Sequence, residues 1–331
     1  MSFLFVDDHG ATIKIDGNSL VVQKKDDTVR KIPIETIDEI YIFNSVQITS
    51  QCMIRCVQNG IPICYFSHKG EYFGRMQSTG HINVERQRRQ AKLANTEFSL
   101  TLAKNIISGK IHNQQVILRR YARNRDKDIA DVNITLGQAI NKINNCTSIS
   151  EIMGYEGNAA KAYFEGISRI IDDDFKFKGR SRRPPKDEFN SMISLGYSIL
   201  MNEIYSHMEN KGLNPYFGFI HSDKEKHPTL VSDIIEEWRA TIVDSLVLSM
   251  ISKHEIKKEN FIREGDAVYI DKTGLKTFLD RYNKKMESEV KYLDYIDYET
   301  SYRNSIDLQI NQLTKAIENE DATMYHTMWL R

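Results

Sequence analysis

A histidine and three carboxylates fall close together in the second half of the chain, where the pattern predicts a loop followed by a helix. His221 ends the apolar turn Gly218–His221, and a short basic loop follows it. Asp233, Glu236 and Glu237 then stand at positions i, i+3 and i+4, which share one face of a helix. Carboxylates crowded on one face repel each other, so this face predicts a cation as their partner. The apolar side of the same helix is formed by Val231, Ile234, Ile235, Trp238 and Ile242.

A further acidic candidate, Glu156, lies in a predicted helix that is rich in small residues. Glycine inside a helix costs about 1 kcal/mol relative to alanine, so Gly157 and the neighbouring alanines predict that another helix packs closely here. A free carboxylate in a crowded place is unfavourable. Glu156 therefore needs a metal or a basic side chain as partner, although a simple surface glutamate is the alternative interpretation.

The strongest local charge bias is a basic run over residues 175–186 that contains no acid. Pro184 and Pro185 oppose helix formation there and stiffen the segment. A rigid basic loop suits the phosphate groups of a polyanion, and a merely solvated loop is the alternative. Its basic residues are Lys176, Lys178, Arg180, Arg182, Arg183 and Lys186.

Glu156, His221 and Glu236 together form the donor set of a candidate metal site. Oxygen-rich ligation favours Mg²⁺ or Mn²⁺ and the imidazole favours Mn²⁺, whereas zinc with two carboxylates fits less well. His227 competes with His221 for the ligand role, but it lies beside Pro228 in a polar loop and is predicted to be a surface residue. The glycine-rich loops of ATP and dinucleotide sites and the motifs of zinc proteases and serine hydrolases are missing, which argues against those reactions.

The elements that must position these residues divide the chain into a β-rich part and a helical part. Residues 1–77 show short alternating apolar runs between Gly, Asp and Asn turns, with one short helix over residues 50–58. Residues 78–90 are predicted to be a linker, and residues 91–331 have helical spacing with one extended stretch over 261–271. We therefore predict an α+β protein with a small β-rich N-terminal domain and a larger all-α C-terminal domain. The predicted helices cover residues 90–109, 111–125, 127–144, 149–172, 187–211, 229–253, 273–290 and 300–319.

The composition is that of a globular protein whose charge is balanced overall. Its 45 Lys and Arg residues offset 45 Asp and Glu residues, so a nucleic-acid binder of this composition must concentrate its positive charge in patches. The four cysteines are expected to be reduced and buried. We find neither a signal sequence nor an apolar run long enough to span a bilayer, so we expect a cytoplasmic protein without a membrane partner.

These segments, in their order along the chain, resemble one known family. The similarity is to the CRISPR-associated endonuclease and integrase that captures new spacers, and it spans the whole chain. Glu188 and Ala240 depart from the pattern, because members of that family commonly have proline at these positions. The segments that carry the resemblance are Gly154–Ala160, Gly179–Asn190, Gly196-Tyr197, Gly218–His221 and Asp233–Arg239.

The resemblance implies a metal-dependent DNA endonuclease and integrase with a catalytic C-terminal domain. Glu156, His221 and Glu236 would hold Mg²⁺ or Mn²⁺, and Asp233 would be a fourth catalytic acid beside them. A DNA 3′-hydroxyl would attack a phosphodiester and so insert a new spacer into a CRISPR array. The DNA phosphates would be held by Arg180, Arg182, Arg183, Lys186 and Lys224.

The resemblance also implies partners. These are double-stranded DNA, as spacer precursor and CRISPR repeat, a second copy of the chain, and a small companion protein of the adaptation complex. The N-terminal domain is the expected dimerisation surface. Tyr197 is expected either near the site or in the core, and Glu237 is expected to meet solvent or an arginine.

Two other functions are compatible with the same residues. One is a stand-alone metal-dependent nuclease or transposon-type integrase of similar fold. The other is a non-catalytic nucleic-acid-binding scaffold, in which the acids only pair with the basic loop. Dependence of DNA cleavage or joining on a divalent metal distinguishes the scaffold from the enzymes.

Overall fold

Two small β-sheets and one short helix form the N-terminal part of the protein, in a computed structural model that describes residues 3–26, 28–291, 293 and 295–330. The strands are β1 Phe3–Val6, β2 Thr12–Asp16, β3 Ser19–Gln23, β4 Val29–Pro33, β5 Glu39–Phe43, β6 Gln47–Ile48, β7 Ile63–Phe66 and β8 Tyr72–Met76, and the helix is α1 Ser50–Gln58. Among the described residues, one sheet has the order β1-β5-β7-β8 and the other has the order β4-β3-β2-β6.

The alternation of side chains along β5 explains why the first sheet is buried on both faces. Ile40 and Ile42 belong to the apolar cluster shared with the second sheet and α1. Tyr41 and Phe43 point the other way and belong to the cluster shared with the helices. The first sheet is therefore the central layer, with the second sheet on one side and the helical region on the other.

The rest of the described chain is largely helical, which confirms the predicted α+β class. Its helices are α2 Val84–Leu93, α3 Glu97–Asn124, α4 Ala130–Ile143, α5 Ile149–Ile170, α6 Glu188–Asn210, α7 Thr229–Trp238, α8 Ser245–Ser252, α9 Lys272–Glu287 and α10 Tyr302–Asn319. A π-helical segment over residues 239–244 joins α7 to α8. The region is not wholly helical, because β9 Phe261–Glu264 and β10 Ala267–Ile270 form the hairpin predicted as an extended stretch, and β11 Glu289–Val290 pairs with β12 Thr300–Ser301.

The predicted helix break near residue 110 is wrong, because α3 continues without interruption from Glu97 to Asn124. Gly109 does not end the helix. It allows close approach of the C-terminal segment, since an added Cβ would lie 2.1 Å from Cγ2 of Thr327. The break lies instead between α2 and α3, where Asn95 has a φ of 58°. The continuous α3 carries Lys110 into the centre of the helical region.

The close helix packing predicted around Gly157 is wrong for the glycine itself, although Ala159 of the same segment is fully buried in the helical core. Gly157 is exposed, and an added Cβ there would meet no atom within 4 Å. The glycine of α5 that must be small is Gly166, where an added Cβ would lie 2.6 Å from Cδ2 of Leu118 on α3. The tight contact between α5 and α3 is thus about two and a half turns further along α5.

The thiols are buried, as the composition predicted. Cys52, Cys56, Cys64 and Cys146 are free and buried. Within the described ranges, no helix combines the length and the apolar character needed to cross a membrane. The helices are instead amphipathic or buried within the protein, as the packing of α3 illustrates.

A buried ion pair links β5 to β8 within the first sheet, and a hydrogen bond from Ser206 joins this pair to α6. Oε1 of Glu39 lies 3.5 Å from Nη2 of Arg75. The same oxygen accepts hydrogen bonds from the Ser206 hydroxyl at 2.7 Å and from the Cys64 thiol at 3.2 Å. Burial raises the pKa of Glu39 to about 7, in opposition to the nearby Arg75 guanidinium.

Replacement of Arg75 by methionine is expected to destabilise the protein more at pH 8 than at pH 5. The pKa of Glu39 is raised from 4.5 in the unfolded chain to about 7 in the folded one. The contribution of Glu39 to the free energy of unfolding is therefore lost as the pH rises from about 4.5 to about 7. Without Arg75 the carboxylate would lose its ion-pair partner among the described residues, so we expect a loss of roughly 3 kcal/mol at pH 8.

The measurement is the free energy of unfolding in urea at both pH values. Arg88→Met, at an exposed position of α2, is the control and should stay within about 0.5 kcal/mol of the wild type at both pH values. Equal destabilisation of Arg75→Met at pH 5 and pH 8 would contradict a role for the Glu39 charge.

Candidate functional site

Asp233 on α7 fixes the loop that contains His221. Its carboxylate is fully buried and accepts hydrogen bonds from the backbone N–H groups of Phe219 at 2.6 Å, Ile220 at 3.1 Å and His221 at 3.0 Å. Gly218 must be a glycine, since an added Cβ would lie 2.9 Å from Oδ2 of Asp233. Asp233 thus acts on the loop and on the histidine, and its oxygens are already engaged.

The imidazole of His221 is oriented by the same carboxylate. Nδ1 of His221 lies 2.8 Å from Oδ1 of Asp233, which selects the tautomer that carries hydrogen on Nδ1. Nε2, on the other side of the ring, lies 3.7 Å from Oε1 of Glu236. His227 is half-buried and not fully at the surface as predicted, and its Nε2 lies 2.8 Å from Oγ of Ser232. His221 is therefore the histidine that faces the acids.

A lysine that was not among the predicted site residues lies at the centre of the site. Nζ of Lys110 lies 2.6 Å from Oε2 of Glu236 and also forms an ion pair with Glu156. Lys110 and Glu236 are buried, and the side chain of Glu156 is 16% exposed. Three helices, α3, α5 and α7, thus bring an ammonium ion and two carboxylates together.

The charges around Glu236 determine its ionisation. Burial alone would raise the pKa of this carboxyl, but Arg239, Lys110 and His221 outweigh burial and hold it well below its usual range. Nη1 of Arg239 donates to Oε1 of Glu236 at 2.6 Å. Burial likewise opposes the charged form of Lys110, and its two acidic neighbours hold its pKa above the ordinary value. The site is thus a set of ionised groups that compensate each other.

A local signal for Lys110 was present in the sequence. It is a single charged residue among Ile106, Ile107 and Ile111, in a stretch predicted to be helical. A lysine inside an apolar stripe must have an acidic partner if it is buried. Its partners lie 46 and 126 positions away, so the sequence pattern could not name them.

The donor set fits a divalent cation in its chemistry, but its members are not gathered around one point. Among the described residues, no group of three His, Cys, Asp or Glu side chains is arranged to hold a metal ion. The Lys110 ammonium lies between the two carboxylates instead. Two carboxylates that bind one cation, with the free Nε2 of His221 beside them, offer the oxygen and nitrogen donors that Mg²⁺ and Mn²⁺ accept. Coordination would require that the ammonium move aside.

Tyr197 lies between the acidic site and the basic loop. The guanidinium carbons of Arg180 and Arg239 lie 5.5 Å and 5.2 Å from the centroid of its ring. Its hydroxyl donates to Oδ1 of Asp244 at 2.5 Å, and Tyr163 donates to the other oxygen at 2.9 Å. Tyr197 therefore belongs to the site, and Arg239, the first residue of the π-helical segment, is a further member.

The basic loop is held by Asn190 and presents most of its cations to solvent. The side chain of Asn190 donates to the Gly179 carbonyl at 2.9 Å and accepts from the Ser181 N–H at 3.1 Å. Arg180 is bonded within the protein, to Asn190 at 2.9 Å and Ser194 at 3.1 Å, and burial lowers its pKa. Arg180 thus stabilises the loop through hydrogen bonds within the protein. The exposed cations of the basic run are Lys176, Lys178, Arg182, Arg183 and Lys186, and Lys224 is exposed on a neighbouring loop.

The prediction that Glu237 meets solvent or an arginine is wrong. Glu237 is fully buried, and its carboxylate accepts hydrogen bonds from the Met328 N–H at 2.8 Å, from Gln309 at 3.3 Å and from the Tyr325 hydroxyl. Burial raises the pKa of this carboxyl to about 8. Glu237 points away from Lys110 and fixes the C-terminal segment to the helical core.

The fold is shared with proteins of known structure. A CAS1 protein from Thermotoga maritima matches with a TM-score of 0.82 and 25% identity, over 96% of this chain and 97% of that one. A casposase bound to an integration product matches in fold with a TM-score of 0.85 and 22% identity, over 98% and 93% of the two chains.

Sequence comparison gives the family. The CRISPR-associated endonuclease Cas1 of Mycobacterium tuberculosis (strain CDC 1551 / Oshkosh) is 32% identical over 318 residues, which are 95% of this chain and 94% of the relative. The CRISPR-associated endonuclease Cas1 1 of Chlorobaculum tepidum is 31% identical over 302 residues, which are 88% of each chain. The family profile described as CRISPR associated protein Cas1 matches residues 4–284. The chain therefore belongs to the Cas1 family, as the motifs predicted.

The first test of the site concerns Lys110 and uses stability alone. In Lys110→Met, Glu156 and the buried Glu236 lose the ammonium between them, so in EDTA we expect a loss of roughly 3 kcal/mol in the free energy of unfolding. Mn²⁺ should restore a large part of this loss, because a divalent ion can take the place of the ammonium. Thermal unfolding with EDTA and with Mn²⁺ measures both effects.

Lys104→Met, on the same helix but half-buried and outside the site, is the matched control. It should respond to Mn²⁺ as the wild type does. If Lys110→Met unfolds at the wild-type temperature in EDTA, the two carboxylates do not depend on the ammonium.

Proposed function

We propose that this protein is a metal-dependent DNA endonuclease and integrase that inserts new spacers into a CRISPR array. The observation that carries the proposal is the convergence of Glu156 and Glu236 on one buried cation, with Nε2 of His221 directed at the same place. The relatives are named CRISPR-associated endonucleases, which supports the nuclease part. The exposed cations of the basic loop supply a surface for DNA phosphates.

In this proposal Glu156, Glu236 and Nε2 of His221 would hold Mg²⁺ or Mn²⁺. When bound, the ion would polarise a phosphodiester and lower the free energy of the charge that develops during its displacement. Asp233 remains a positioning residue, since it fixes the tautomer and direction of His221 through Nδ1. Lys110 would have to leave the place between the carboxylates, and its ammonium would remain a second positive group of the site.

The reaction exchanges one phosphodiester for another. The 3′-hydroxyl oxygen of the incoming strand forms a bond to phosphorus, the bond from phosphorus to the 3′-oxygen of the target strand breaks, and the proton passes to the departing oxygen. No bond is lost overall, so no nucleotide hydrolysis is needed. With water as the nucleophile, the same site cleaves DNA. Arg182, Arg183, Lys186 and Lys224 hold the strands, whereas Arg180 mainly supports Tyr197 and the loop.

The proposed partners are double-stranded DNA, a second copy of the chain and a small companion protein. Chains of similar fold occur in a Cas6-RT-Cas1--Cas2 complex and in a casposase bound to an integration product. For the homodimer we propose the N-terminal domain, where β8 is the edge of the first sheet and Phe73 is 68% exposed. The two copies could associate through pairing of edge strands or through packing of sheet faces.

A non-catalytic nucleic-acid scaffold is the alternative that one observation favours. The two carboxylates already have a basic partner, because Lys110 forms an ion pair with each of them. A scaffold would bind DNA through the basic loop and would show no metal-dependent cleavage or joining. A stand-alone nuclease or transposon-type integrase would instead be active without preference for repeat DNA.

Strand joining in the presence of Mn²⁺ tests the proposed enzyme. Glu156→Gln and His221→Ala each remove one donor, so we expect joining of a labelled spacer precursor to repeat DNA to fall by about 100-fold or more. Both variants should keep the wild-type circular dichroism spectrum, since neither side chain is fully buried. The assay is run with and without the companion protein.

Glu165→Gln, an exposed position on the same helix as Glu156, is the control and should join strands at the wild-type rate. Joining at that rate by Glu156→Gln or by His221→Ala would overturn the assignment of the site.

DNA affinity as a function of salt concentration tests the basic loop. Replacement of both Arg182 and Arg183 by glutamine is expected to weaken binding to any duplex sequence. The slope of log K against log salt should fall in magnitude by about 0.9 for each phosphate contact removed. Lys253→Gln, exposed at the end of α8, should leave the slope unchanged, and an unchanged slope in the double variant would exclude this loop from the DNA contact.

A further inference from the structure

A site with an excess of positive charge lies in the helical region, apart from Lys110 and its two carboxylates. It is a cleft of about 310 Å³ between α3, α8, α9 and the start of α10. Its lining includes four basic side chains and, among the described residues, no carboxylate. They are Arg120, Arg281, Lys284 and Lys285. Such a cleft is electrostatically unfavourable unless an anion enters it.

The excess of positive charge in the cleft is most evident at Lys285. Burial, with the Arg120 guanidinium nearby, lowers the pKa of Lys285 to about 8. Its ammonium lies 4.9 Å from the centroid of the Tyr302 ring. No carboxylate of the described residues forms an ion pair with it, whereas Arg281 does have one, with Glu255 at 2.8 Å. Lys285 is thus a half-buried cation that still needs a negative partner.

The cleft also contains a polar group without a partner. Thr241 is 1% exposed, and its hydroxyl has no hydrogen-bond partner among the described residues. Buried hydroxyl groups are normally paired, so this one indicates an unseen acceptor or water. Ser245, Ser249 and Tyr121 add further hydroxyl groups to the lining. Hydroxyl donors together with lysine and arginine are the groups that bind phosphate.

The position of the cleft relates it to the Lys110 site. Ile117 and Tyr121 line it from α3, and they stand seven and eleven residues after Lys110, on nearly the same helical face. At 1.5 Å per residue the separation between Lys110 and Tyr121 along the helix is about 16 Å. On the opposite side, Thr241 follows Glu236 by five residues. The cleft therefore continues along the same pair of elements that carry the candidate site.

We propose that this cleft is a second phosphate-binding site, which holds a backbone phosphate of a DNA strand whose reacting phosphodiester lies at the Lys110 site. The inference rests on the proposed function, because it assigns the cleft to the same DNA substrate. A distance of about 16 Å corresponds to roughly five nucleotides at 3.4 Å along one strand of a duplex. The cleft would thus anchor the strand a few nucleotides away from the reaction. A free phosphate ion has the same chemistry and is the competing occupant.

The test measures the affinity of the full chain for a labelled DNA duplex, in EDTA and over a range of salt concentrations. Lys285→Met and Arg120→Gln should each weaken binding and lower the magnitude of the salt slope by about 0.9 per lost contact. Lys315→Met, exposed on α10, is the control and should bind as the wild type does. Wild-type affinity and slope in both cleft variants would overturn the proposal.

Thermal unfolding separates binding from a structural role. Lys285→Met removes one of two neighbouring positive charges, so we expect its unfolding temperature in EDTA not to fall below that of the wild type. A lower temperature with unchanged DNA affinity would overturn the proposal, since Lys285 would then only support the fold. Arg120 is exposed, so Arg120→Gln reports on binding even if Lys285→Met unfolds.

Inorganic phosphate distinguishes the two occupants. If phosphate raises the unfolding temperature of the wild type but not of Lys285→Met, while both bind DNA equally, the cleft serves a free anion and the DNA assignment is overturned. If the two cleft variants lose DNA affinity but the wild type joins no strands, the inference of a DNA-phosphate site stands and the proposed integrase function fails. Because the binding assay contains EDTA, its result does not depend on catalysis.

Discussion

Lys110, Glu156 and Glu236 come from three helices that are distant in sequence, and they meet as one ammonium ion between two carboxylates. Each of the buried groups would be strongly unfavourable in its position without the others, because charges removed from water must be compensated by opposite charges nearby. The ion pairs therefore restrict how α3, α5 and α7 can be arranged. A shift of α5 along α3 by one turn, about 5.4 Å, would separate Glu156 from the ammonium.

A different constraint fixes the histidine. Loop residues before α7 are tied to Asp233 by three backbone N–H groups, and the same carboxylate holds Nδ1 of His221. The direction of Nε2 is thus set by contacts with a buried helix. It does not depend on the exposed residues 222–226 that follow His221. Tyr197 links the two parts, since Arg239 from the acidic side and Arg180 from the basic loop lie on its ring.

Patterns formed by residues close together in the sequence could be recognised. Contacts between residues far apart in the sequence could not. Alternating apolar residues predicted β5 and its neighbours, and the spacing of Asp233 and Glu236 predicted an acidic element on a packed helix. The same spacing placed Glu237 with them. Side chains on different sides of a buried helix, however, contact different elements. Glu237 contacts the C-terminal segment. Lys110 was missed because its partners become neighbours only when the helices pack.

The helix break wrongly predicted near residue 110 and the packing wrongly predicted at Gly157 have one cause. Gly109 and Gly157 both occur within helices, and a glycine alone does not show whether it ends a helix, admits a neighbour or faces solvent. At Gly109 the neighbour is Thr327, which lies more than 200 residues further along the chain. At Gly157 an added Cβ would meet no other element within 4 Å among the described residues. Only the tertiary contacts distinguish these cases.

The charges of the site connect metal binding with DNA binding. The ionised Glu156 and Glu236 are balanced by Lys110 and Arg239, so this group of four is close to neutral. If a divalent cation replaced the ammonium while Lys110 stayed nearby, the group would carry about two excess positive charges. A phosphodiester brings one negative charge to the same place and would relieve half of this excess. Each ligand should therefore bind more tightly when the other is present, because opposite charges at close range in a poorly solvated site attract strongly.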